Sequence, residues 1–466
     1  MNYKIINGKL LLHGEDGFKV ESGTLFIKDG IISGIRNEGG NTDPDGNHET
    51  IDAKDRLVMP GLINAHTHVY MTLLRNYADD VDFGEWLFNR CMPVEDSLPA
   101  EAAYWTNLLG FAEMFRSGTT SYVDMHMYKC MSGKAANDAG IRAFIGRGLV
   151  GTDLYGDGLS RFREALAEKE EYENSRIRFI LSPHAPYSCS EKLYRQVVEE
   201  SEKRGLLRQT HLSEGLTEVE NILEQTGKTP VKWLYDIGFL SDKTLLAHCV
   251  QMRDDDIELI AKSRASVVTN PASNAKLGNG FAPVSEMDAA GVHLCLGTDG
   301  TSSNNTLNMF REMGLLSLIH KGIQKDSTAA PAQKVLAAAT VNAAEALGRA
   351  YTDNENGRAG QASPFSGHEE PEQASRACKN STSRHTPLFG VIEPGAKADL
   401  IFLDLKSPSL FPNNNIVSSL CYSANGSEVE SVMIDGQFVM RNRELLTIDY
   451  ERVCYEVQKI ADEYLK

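Results

Sequence analysis

Paired cysteines are absent from this 466-residue sequence. Its eight cysteines are scattered along the chain, and no two of them form a C-x-x-C pair. A disulfide framework and a thiolate zinc site both require cysteines at short, regular spacings. The pattern therefore favours reduced thiols, and we expect a cytoplasmic protein.

Long apolar runs and an excess of basic residues are missing as well. The first residues carry no apolar segment of the kind that marks a secretory signal, and no uninterrupted apolar run is long enough to span a membrane. The formal net charge of −17 argues against a nucleic-acid backbone or an anionic membrane as the main partner. A small-molecule ligand is compatible with all of these absences.

Short β-rich runs separated by turns lie at both ends of the chain. Because they flank a central segment in which strand-like and helical runs alternate, we predict one split domain, a small β-sandwich built from residues 1–56 and 389–446. A C-terminal helix is predicted within 447–466. The β-rich runs are 3–6, 23–27, 30–35, 398–404 and 429–439.

Residues 57–350 alternate apolar strand-like runs with amphipathic helical segments. Eight such runs are typical of a (β/α)8 TIM-type barrel, in which the catalytic groups lie at the carboxyl ends of the strands. Residues 352–387, rich in Gly, Ser, Pro and charge, are predicted to form a flexible surface insertion. The eight runs are 57–66, 120–124, 141–146, 177–181, 206–211, 244–248, 265–270 and 292–297.

The first barrel strand ends in a His-x-His pair, His66 and His68. Side chains two residues apart on a strand point to the same side, so both imidazoles can face one metal ion. An isolated pair of this kind is as well explained by two unrelated histidines in a polar loop. The buried run before it and the residues at later strand ends favour the metal site.

Four later strand ends carry His184, His211, His248 and Asp299. A single such residue is explained by a core histidine that hydrogen-bonds to the backbone. A ring of buried imidazoles is not, because burying that many polar groups without a ligand would cost free energy. One divalent ion with room for a water would be held by three imidazoles and one carboxylate. That predicted ligand set is His66, His68, His211 and Asp299.

Zinc is the favoured ion, with Fe²⁺ and Mn²⁺ as alternatives. Such an ion lowers the pKa of a bound water and makes it a nucleophile near neutral pH. Glu214 follows His211 by three residues and is the predicted proton shuttle. His248 would hydrogen-bond the nucleophile, and Asp299 could accept its proton.

Together and in this order, these motifs resemble the amidohydrolase superfamily, and in particular its branch of aromatic-ring deaminases and triazine hydrolases. They are Pro-Gly-Leu-Ile-Asn-Ala-His66-Thr-His68, His211-Leu-Ser-Glu214, His248 and Gly297-Thr-Asp299-Gly-Thr-Ser-Ser-Asn-Asn. The resemblance extends from about residue 3 to 405, apart from the insertion. It implies hydrolytic attack on an electrophilic ring carbon with loss of ammonia or another leaving group.

Within that branch the chain is most similar to the family of 5-methylthioadenosine/S-adenosylhomocysteine deaminases. The resemblance implies that Glu95 binds the ribose hydroxyls and that Arg147 binds substrate, for which an arginine fork suits the homocysteine carboxylate. It also implies that His184 contacts the base or the thio-linked sugar. Arg161 aligns less cleanly as a second arginine, and a homo-oligomer is expected by the same analogy.

The leading hypothesis is a deaminase that converts the 6-amino group of S-adenosylhomocysteine, 5-methylthioadenosine or adenosine to a 6-oxo group and releases ammonia. An alternative keeps the same site but acts on a free purine, pyrimidine or triazine ring, which needs no ribose anchor. A non-catalytic scaffold is a remote alternative, because the predicted ligands and Glu214 are all present. His126, Phe83 and Trp86 could line a pocket or pack structurally.

Overall fold

The structure is a computed structural model that describes residues 2–37, 48–128, 131–349 and 388–465. The predicted insertion at 352–387 lies outside the described residues. No helix in the described ranges is long and apolar enough to cross a membrane.

Eighteen strands are assigned in these ranges. In chain order they are β1 Tyr3–Gly14, β2 Gly17–Lys28, β3 Ile31–Asn37, β4 Glu49–Asp52, β5 Arg56–Pro60, β6 Leu62–Thr67, β7 Thr119–His126, β8 Arg142–Leu149, β9 Ile177–Phe179, β10 Ser182–Pro183, β11 Arg208–Leu212, β12 Thr244–His248, β13 Ser266–Thr269, β14 His293–Leu296, β15 Leu400–Asp404, β16 Val429–Ile434, β17 Gln437–Arg441 and β18 Glu444–Leu445.

A 3₁₀-helix, Val69–Leu74, and a π-helix, Glu85–Cys91, follow β6. The α-helices are α1 Met92–Ser97, α2 Ala100–Arg116, α3 Ser132–Ala139, α4 Leu159–Tyr172, α5 Glu191–Arg204, α6 Leu216–Thr226, α7 Pro230–Asp236, α8 Asp254–Ser263, α9 Pro271–Lys276, α10 Val284–Ala289, α11 Met309–Gln324, α12 Ala332–Ala338, α13 Val341–Gly348, α14 Ile416–Tyr422 and α15 Tyr450–Tyr464.

The barrel is formed by parallel strands at eight positions, with β9 and β10 sharing the fourth. β6, β7, β8 and β9/β10 form one sheet, and β11, β12, β13 and β14 form the other. A parallel bridge between Leu181 and Arg208 joins the two sheets on one side. On the other side, the Asp299 backbone N–H donates to the His66 carbonyl at 2.9 Å. The prediction of a TIM-type α/β barrel is thus confirmed.

Alternate strand residues fill the barrel interior. Ile63, Ala65, Val123 and Phe144 are among the apolar side chains that form this cluster, and each is at most 1% exposed. Burying an aliphatic or aromatic side chain contributes roughly 1.5–3 kcal/mol, so the interior is a packed core that supports the strand ends above it.

The terminal segments pair in one mixed sheet in the order β18-β17-β16-β15-β5-β1-β2-β3, with β4 paired to β1. A separate β-sandwich is therefore not confirmed. The strand predicted to run unbroken from Leu57 into His66 is in fact two strands, since β5 pairs with β15 in this sheet and only β6 enters the barrel. The break falls at Gly61, where a Cβ would lie 2.1 Å from the Thr120 side chain.

A buried arginine connects the sheet to the barrel. Arg142 on β8 is fully buried, and its guanidinium donates to Asp399 at 2.5 and 3.0 Å and to Asp435 at 2.7 Å. Removing one partner of such a group would cost several kcal/mol, roughly 3–5, because a buried charge would be left uncompensated. The sheet thus acts as a rigid support for the barrel.

Candidate metal centre and active site

Four side chains converge at the carboxyl-terminal rim of the barrel. One ligand atom from each lies within 4.8 Å of every other, and all four residues are buried. His68 Nε2 is 3.2 Å from Asp299 Oδ1 and 3.2 Å from His211 Nε2, while His66 Nε2 is 3.5 Å from Asp299 Oδ1. The members of this cluster are His66, His68, His211 and Asp299.

The rear nitrogens of these imidazoles are held by groups outside the cluster. His68 Nδ1 donates to the Met125 carbonyl, and His211 Nδ1 donates to the His184 carbonyl at 2.8 Å. These contacts fix the tautomer that presents Nε2 as a lone pair to the centre, as is usual for metal-binding histidines. His66 Nε2 is buried without a hydrogen-bond partner. This donor set fits one divalent metal ion.

Asp299 is oriented by two serine hydroxyls. Its Oδ2 accepts from Ser273 Oγ at 2.6 Å and from Ser303 Oγ at 2.8 Å, so Oδ1 is left to face His66 and His68. Burial alone would raise the pKa of Asp299, but its contacts with the imidazoles of His66 and His68 outweigh burial and hold that pKa well below its usual range. The carboxylate is therefore ionised, as a metal ligand must be.

Residues in left-handed backbone conformation, which is costly for a side chain with a Cβ, recur at this rim. φ is +50° at Ser213, +71° at His248 and +63° at Asp299. Such a conformation costs on the order of 1–3 kcal/mol and persists at functional sites where the surroundings enforce it. Gly297 permits the close approach, because a Cβ there would lie 2.8 Å from the His66 backbone.

Glu214 lies beside the cluster with its side chain buried. Its Oε1 accepts from Asn279 Nδ2 at 3.0 Å, and its Oε2 is 3.7 Å from His248 Nε2. Burial, reinforced by the charge of Asp299, raises its pKa to about 8. A carboxylic acid that is protonated near neutral pH can deliver a proton to a substrate.

His248 is oriented by an amide. Its Nδ1 pairs with Asn274 Oδ1 at 2.8 Å, so Nε2 faces Glu214 and the cluster. Burial lowers its pKa and keeps the ring neutral. Because Nδ1 of the neutral ring donates its proton to the Asn274 oxygen, Nε2 can accept one directed hydrogen bond.

Sequence reasoning missed Glu218, which positions the turn that carries Glu214. Its carboxylate accepts from the backbone N–H of Ser213 at 2.9 Å and from that of Glu214 at 3.0 Å. The signal available in the sequence was an acidic residue in the first turn of α6, a position that often satisfies free backbone N–H groups.

Glu95 on α1 is 5% exposed and accepts a hydrogen bond from Tyr70 Oη at 2.8 Å. Burial raises its pKa to about 7 despite that hydrogen bond. Tyr70 lies on the 3₁₀-helix directly after His68, so Glu95 is tied to the element that leaves the metal cluster. Trp86 is buried, and its Nε1 donates to Ser302 Oγ at 2.8 Å, so it packs against the segment after Asp299.

His184 adjoins the cluster through His211, with the ring centroids 4.9 Å apart. Its Nδ1 pairs with Ser188 Oγ at 2.9 Å, and burial together with the charge of His68 lowers its pKa to about 3. The ring is thus neutral and close to the ion site.

The two candidate arginines have different surroundings. Arg147 donates to Glu164 Oε2 at 2.9 Å and to the His126 carbonyl at 3.2 Å, and it lines a cavity of about 800 Å³ with His126 and Glu168. Arg161 donates through one terminal nitrogen to the Met127 and Gly148 carbonyls. Its charge contributes to lowering the pKa of both Glu95 and His184, so it lies in their electrostatic neighbourhood.

Relatives of this chain share its full length. A 5-methylthioadenosine/S-adenosylhomocysteine deaminase from Thermoanaerobacter pseudethanolicus is 37% identical over 470 residues, covering 100% of both chains. A 5'-deoxyadenosine deaminase from Methanosarcina acetivorans is also 37% identical, covering 98% of this chain and 97% of the relative.

Solved structures of similar fold include an adenosine deaminase from Xanthomonas campestris with bound zinc. It is 27% identical, has a TM-score of 0.86, and covers 99% of this chain and 98% of that one. An atrazine chlorohydrolase from Arthrobacter aurescens has a TM-score of 0.83 at 20% identity, covering 98% of this chain and 100% of that one, and its likeness concerns the fold alone. Residues 57–352 match the model of the Amidohydrolase family. The chain therefore belongs to the amidohydrolase family.

Proposed function

We propose that this protein is a metal-dependent hydrolytic deaminase of adenosine-type nucleosides. Water replaces the 6-amino group of the purine, the product carries a 6-oxo group, and ammonia leaves. S-adenosylhomocysteine, 5-methylthioadenosine and adenosine are the substrates proposed, in agreement with the names of the full-length relatives. The observation that carries the proposal is the buried cluster of three histidines and Asp299 with the protonatable Glu214 beside it.

One divalent ion, with zinc preferred, would be held by the four residues of the cluster. When bound, it would act as a Lewis acid and make a water reactive at neutral pH. The zinc-bound relative and the three imidazole donors support zinc over harder ions.

Glu214, His248 and Asp299 are the proposed catalytic residues. Glu214, protonated at neutral pH, donates to the ring nitrogen next to C6, so that electron density from the attacking oxygen has an acceptor. Asp299 accepts the proton of the attacking water, and His248 Nε2 hydrogen-bonds the same oxygen. Asp299 then passes its proton to the amino group, which departs as ammonia, and the proton of the new hydroxyl group returns to Glu214 as the 6-oxo group forms.

The proposed substrate-binding residues are Glu95, Arg147 and His184, together with the catalytic Glu214 and Asp299. The Glu95 carboxylate would accept from the two ribose hydroxyls, with Tyr70 fixing its orientation. His184 would contact the base or the sugar. A substrate carboxylate would bind the arginine pair, in which Arg147 is held by Glu164 and Arg161 retains N–H donors that are not committed to carbonyls.

The test is a substrate panel with zinc-loaded protein and ammonia as the readout. We expect release from S-adenosylhomocysteine, 5-methylthioadenosine, adenosine and 5'-deoxyadenosine, and none from the metal-free protein. Glu214→Gln with unchanged metal content is the matched control, because it removes the transferable proton and keeps the volume. Metal-loaded protein that is silent on every nucleoside would overturn the substrate class.

A free-base or triazine substrate is the second candidate. The observation that favours it is Glu95, which is buried and already accepts a hydrogen bond from Tyr70. Guanine, cytosine and a chloro-triazine belong in the same panel for that reason. Glu95→Ala distinguishes the two candidates, since it would cripple a nucleoside deaminase and leave a free-base enzyme nearly unchanged.

A further inference from the structure

A second cavity lies where α2, the segment preceding α11 and the C-terminal segment meet. Its volume is about 490 Å³, within the range of small-molecule sites. None of the four cluster residues lines it, nor does Glu214. The charged residues that line it are three arginines and one glutamate, Arg75, Arg116, Arg443 and Glu113.

Glu113 is already committed to other partners. One of its oxygens pairs with Arg75 NH2, and the other accepts from the Leu307 backbone N–H at 2.9 Å. Across the ranges that the structure describes, no carboxylate lies within ion-pairing distance of Arg116 or Arg443. Arg116 and Arg443 therefore line this cavity without a direct ion pair among the described residues, in a chain whose formal net charge is −17.

Both guanidiniums keep hydrogen-bond donors available. Arg116 lies over the Tyr450 ring at 4.1 Å, and stacking of this kind uses the face of the guanidinium while its N–H groups remain in the plane. Arg443 donates through a single terminal nitrogen to four backbone carbonyls. Its second terminal nitrogen and its Nε have no hydrogen-bond partner among the described residues.

The two charges act on each other. Burial and the charge of Arg116 lower the pKa of Arg443, whereas Glu428 opposes this effect only in part. The mutual repulsion of two like charges is relieved when an anion binds near both of them. Two guanidinium forks match the oxygens of a tetrahedral dianion, which can accept several charge-assisted hydrogen bonds at once.

We propose that this cavity is a binding site for a phosphate group, carried either by inorganic phosphate or by a small phosphate monoester. Asn425 and Ser427 add polar groups to the lining, and the volume exceeds what a bare phosphate requires. The site is separate from the proposed deaminase centre and does not depend on it.

The occupant would connect three parts of the chain. Arg75 directly follows the 3₁₀-helix that leaves His68, and Asn308, at the start of α11, ends the segment that begins at Asp299. Arg443 belongs to the C-terminal segment. A ligand that binds only the folded arrangement stabilises it in proportion to the logarithm of its concentration. We therefore expect bound phosphate to raise the thermal midpoint of the holoenzyme.

The experiment measures thermal unfolding and calorimetric binding of the zinc-loaded protein with inorganic phosphate, against sodium chloride at matched ionic strength. Ribose 5-phosphate and ribose form the second arm, which separates free phosphate from a phosphate ester. We expect a saturable rise in the midpoint with phosphate that chloride does not reproduce. A midpoint that responds equally to both salts, with no saturable heat of binding, would overturn the proposal.

Arg116→Gln is the decisive variant, and Arg452→Gln is its matched control. Arg452 also lies over an aromatic ring, that of Trp105 at 5.0 Å, but it does not line the cavity. We expect Arg116→Gln to weaken phosphate binding at least about tenfold, the value of one charge-assisted hydrogen bond. Arg452→Gln should leave it unchanged. Arg116→Lys, which keeps the charge, should bind phosphate with intermediate affinity even if the glutamine variant folds poorly.

Equal phosphate affinity in the wild type, Arg116→Gln and Arg116→Lys would place the anion elsewhere, for example on the metal ion, and would refute the site. The test does not use deaminase activity, so the failure of one proposal leaves the other intact.

Discussion

The metal cluster and the outer part of the site are built in different ways. The cluster side chains come from strand ends, and the atoms that point away from the centre bind backbone carbonyls, serine hydroxyls or, for His66, the Gln209 side chain. Glu95, Arg147 and Arg161 bind other side chains or backbone carbonyls at the ends of β7 and β8, and Glu95 and Arg161 come from helices. We therefore propose that the barrel rim carries the chemistry, while residues around it determine which substrate binds.

Removal of the metal from the cluster should have the largest effect. A chelator is expected to abolish ammonia release and to lower the thermal midpoint, because the buried His66 Nε2 would lose its partner. A ligand present at about a thousand times its Kd stabilises the native state by about 4 kcal/mol. The measurement is thermal unfolding and ammonia release before and after zinc is restored. Full activity without bound metal would refute the assignment of the cluster.

Glu214→Gln should have the next largest effect. Loss of a general acid typically lowers kcat by about 10²–10⁴-fold, and the metal content should not change. Glu218→Gln serves as a comparison, because it disturbs only the backbone N–H groups of Ser213 and Glu214. We expect a loss of roughly fivefold in kcat for Glu218→Gln, consistent with one weakened hydrogen bond of about 1 kcal/mol. Equal losses in both variants would indicate that Glu214 has no role as an acid.

The pH dependence of kcat/KM tests the role of Glu95 in the outer part of the site. Burial raises its pKa from 4.5 to about 7, and the carboxylate form is the one that accepts from ribose hydroxyls. kcat/KM for nucleosides should therefore rise with pH up to about 7, and Glu95→Gln should flatten this acidic limb. Because the native state binds this proton more tightly than the unfolded chain, the contribution of Glu95 to stability falls as pH rises from 4.5 to about 7. An unchanged acidic limb in Glu95→Gln would remove Glu95 from ribose binding.

Substitutions of Arg161 and Arg147 should have the smallest effect on activity, and the effect should differ between substrates. Arg161→Gln is expected to raise KM for S-adenosylhomocysteine about tenfold, the value of a charge-assisted hydrogen bond, and to leave 5-methylthioadenosine unaffected. Arg147→Gln is the partner variant. If Arg147 binds the tail directly, it should show the same selectivity; if it serves only Glu164, the thermal midpoint should fall with no difference between the substrates. Steady-state kinetics on both substrates measures this.

Much of the site could be predicted because strand ends are visible in a sequence. An apolar run that closes on a histidine or an aspartate identifies the residue and the rim to which it belongs. That reasoning predicted the cluster residues His66, His68, His211 and Asp299, which the structure brings together. The partners of these residues could not be predicted, since Ser273, Ser303 and Glu218 act through single hydrogen bonds that leave no periodic pattern.

The terminal segments illustrate the same limit. Their strands could be predicted from the alternation of apolar residues and from the turns. The same strands could form either one mixed sheet or the two sheets of a sandwich, and the structure has one mixed sheet. The pairing of β5 with β15 joins residues more than 340 positions apart, as the register of Met59 with Ile401 shows. Local propensity carries no information on such a choice.

The amino-acid sequence by itself determined the barrel, its metal-binding rim and the family, because these depend on residue types at short spacings. Tertiary structure alone decided which oxygen of Asp299 faces the imidazoles, which arginine approaches Glu95, and where two arginines share a cavity. Those outcomes depend on contacts between atoms of residues that are far apart in the sequence. Their energies come from burial and hydrogen-bond geometry, which exist only after the chain has folded.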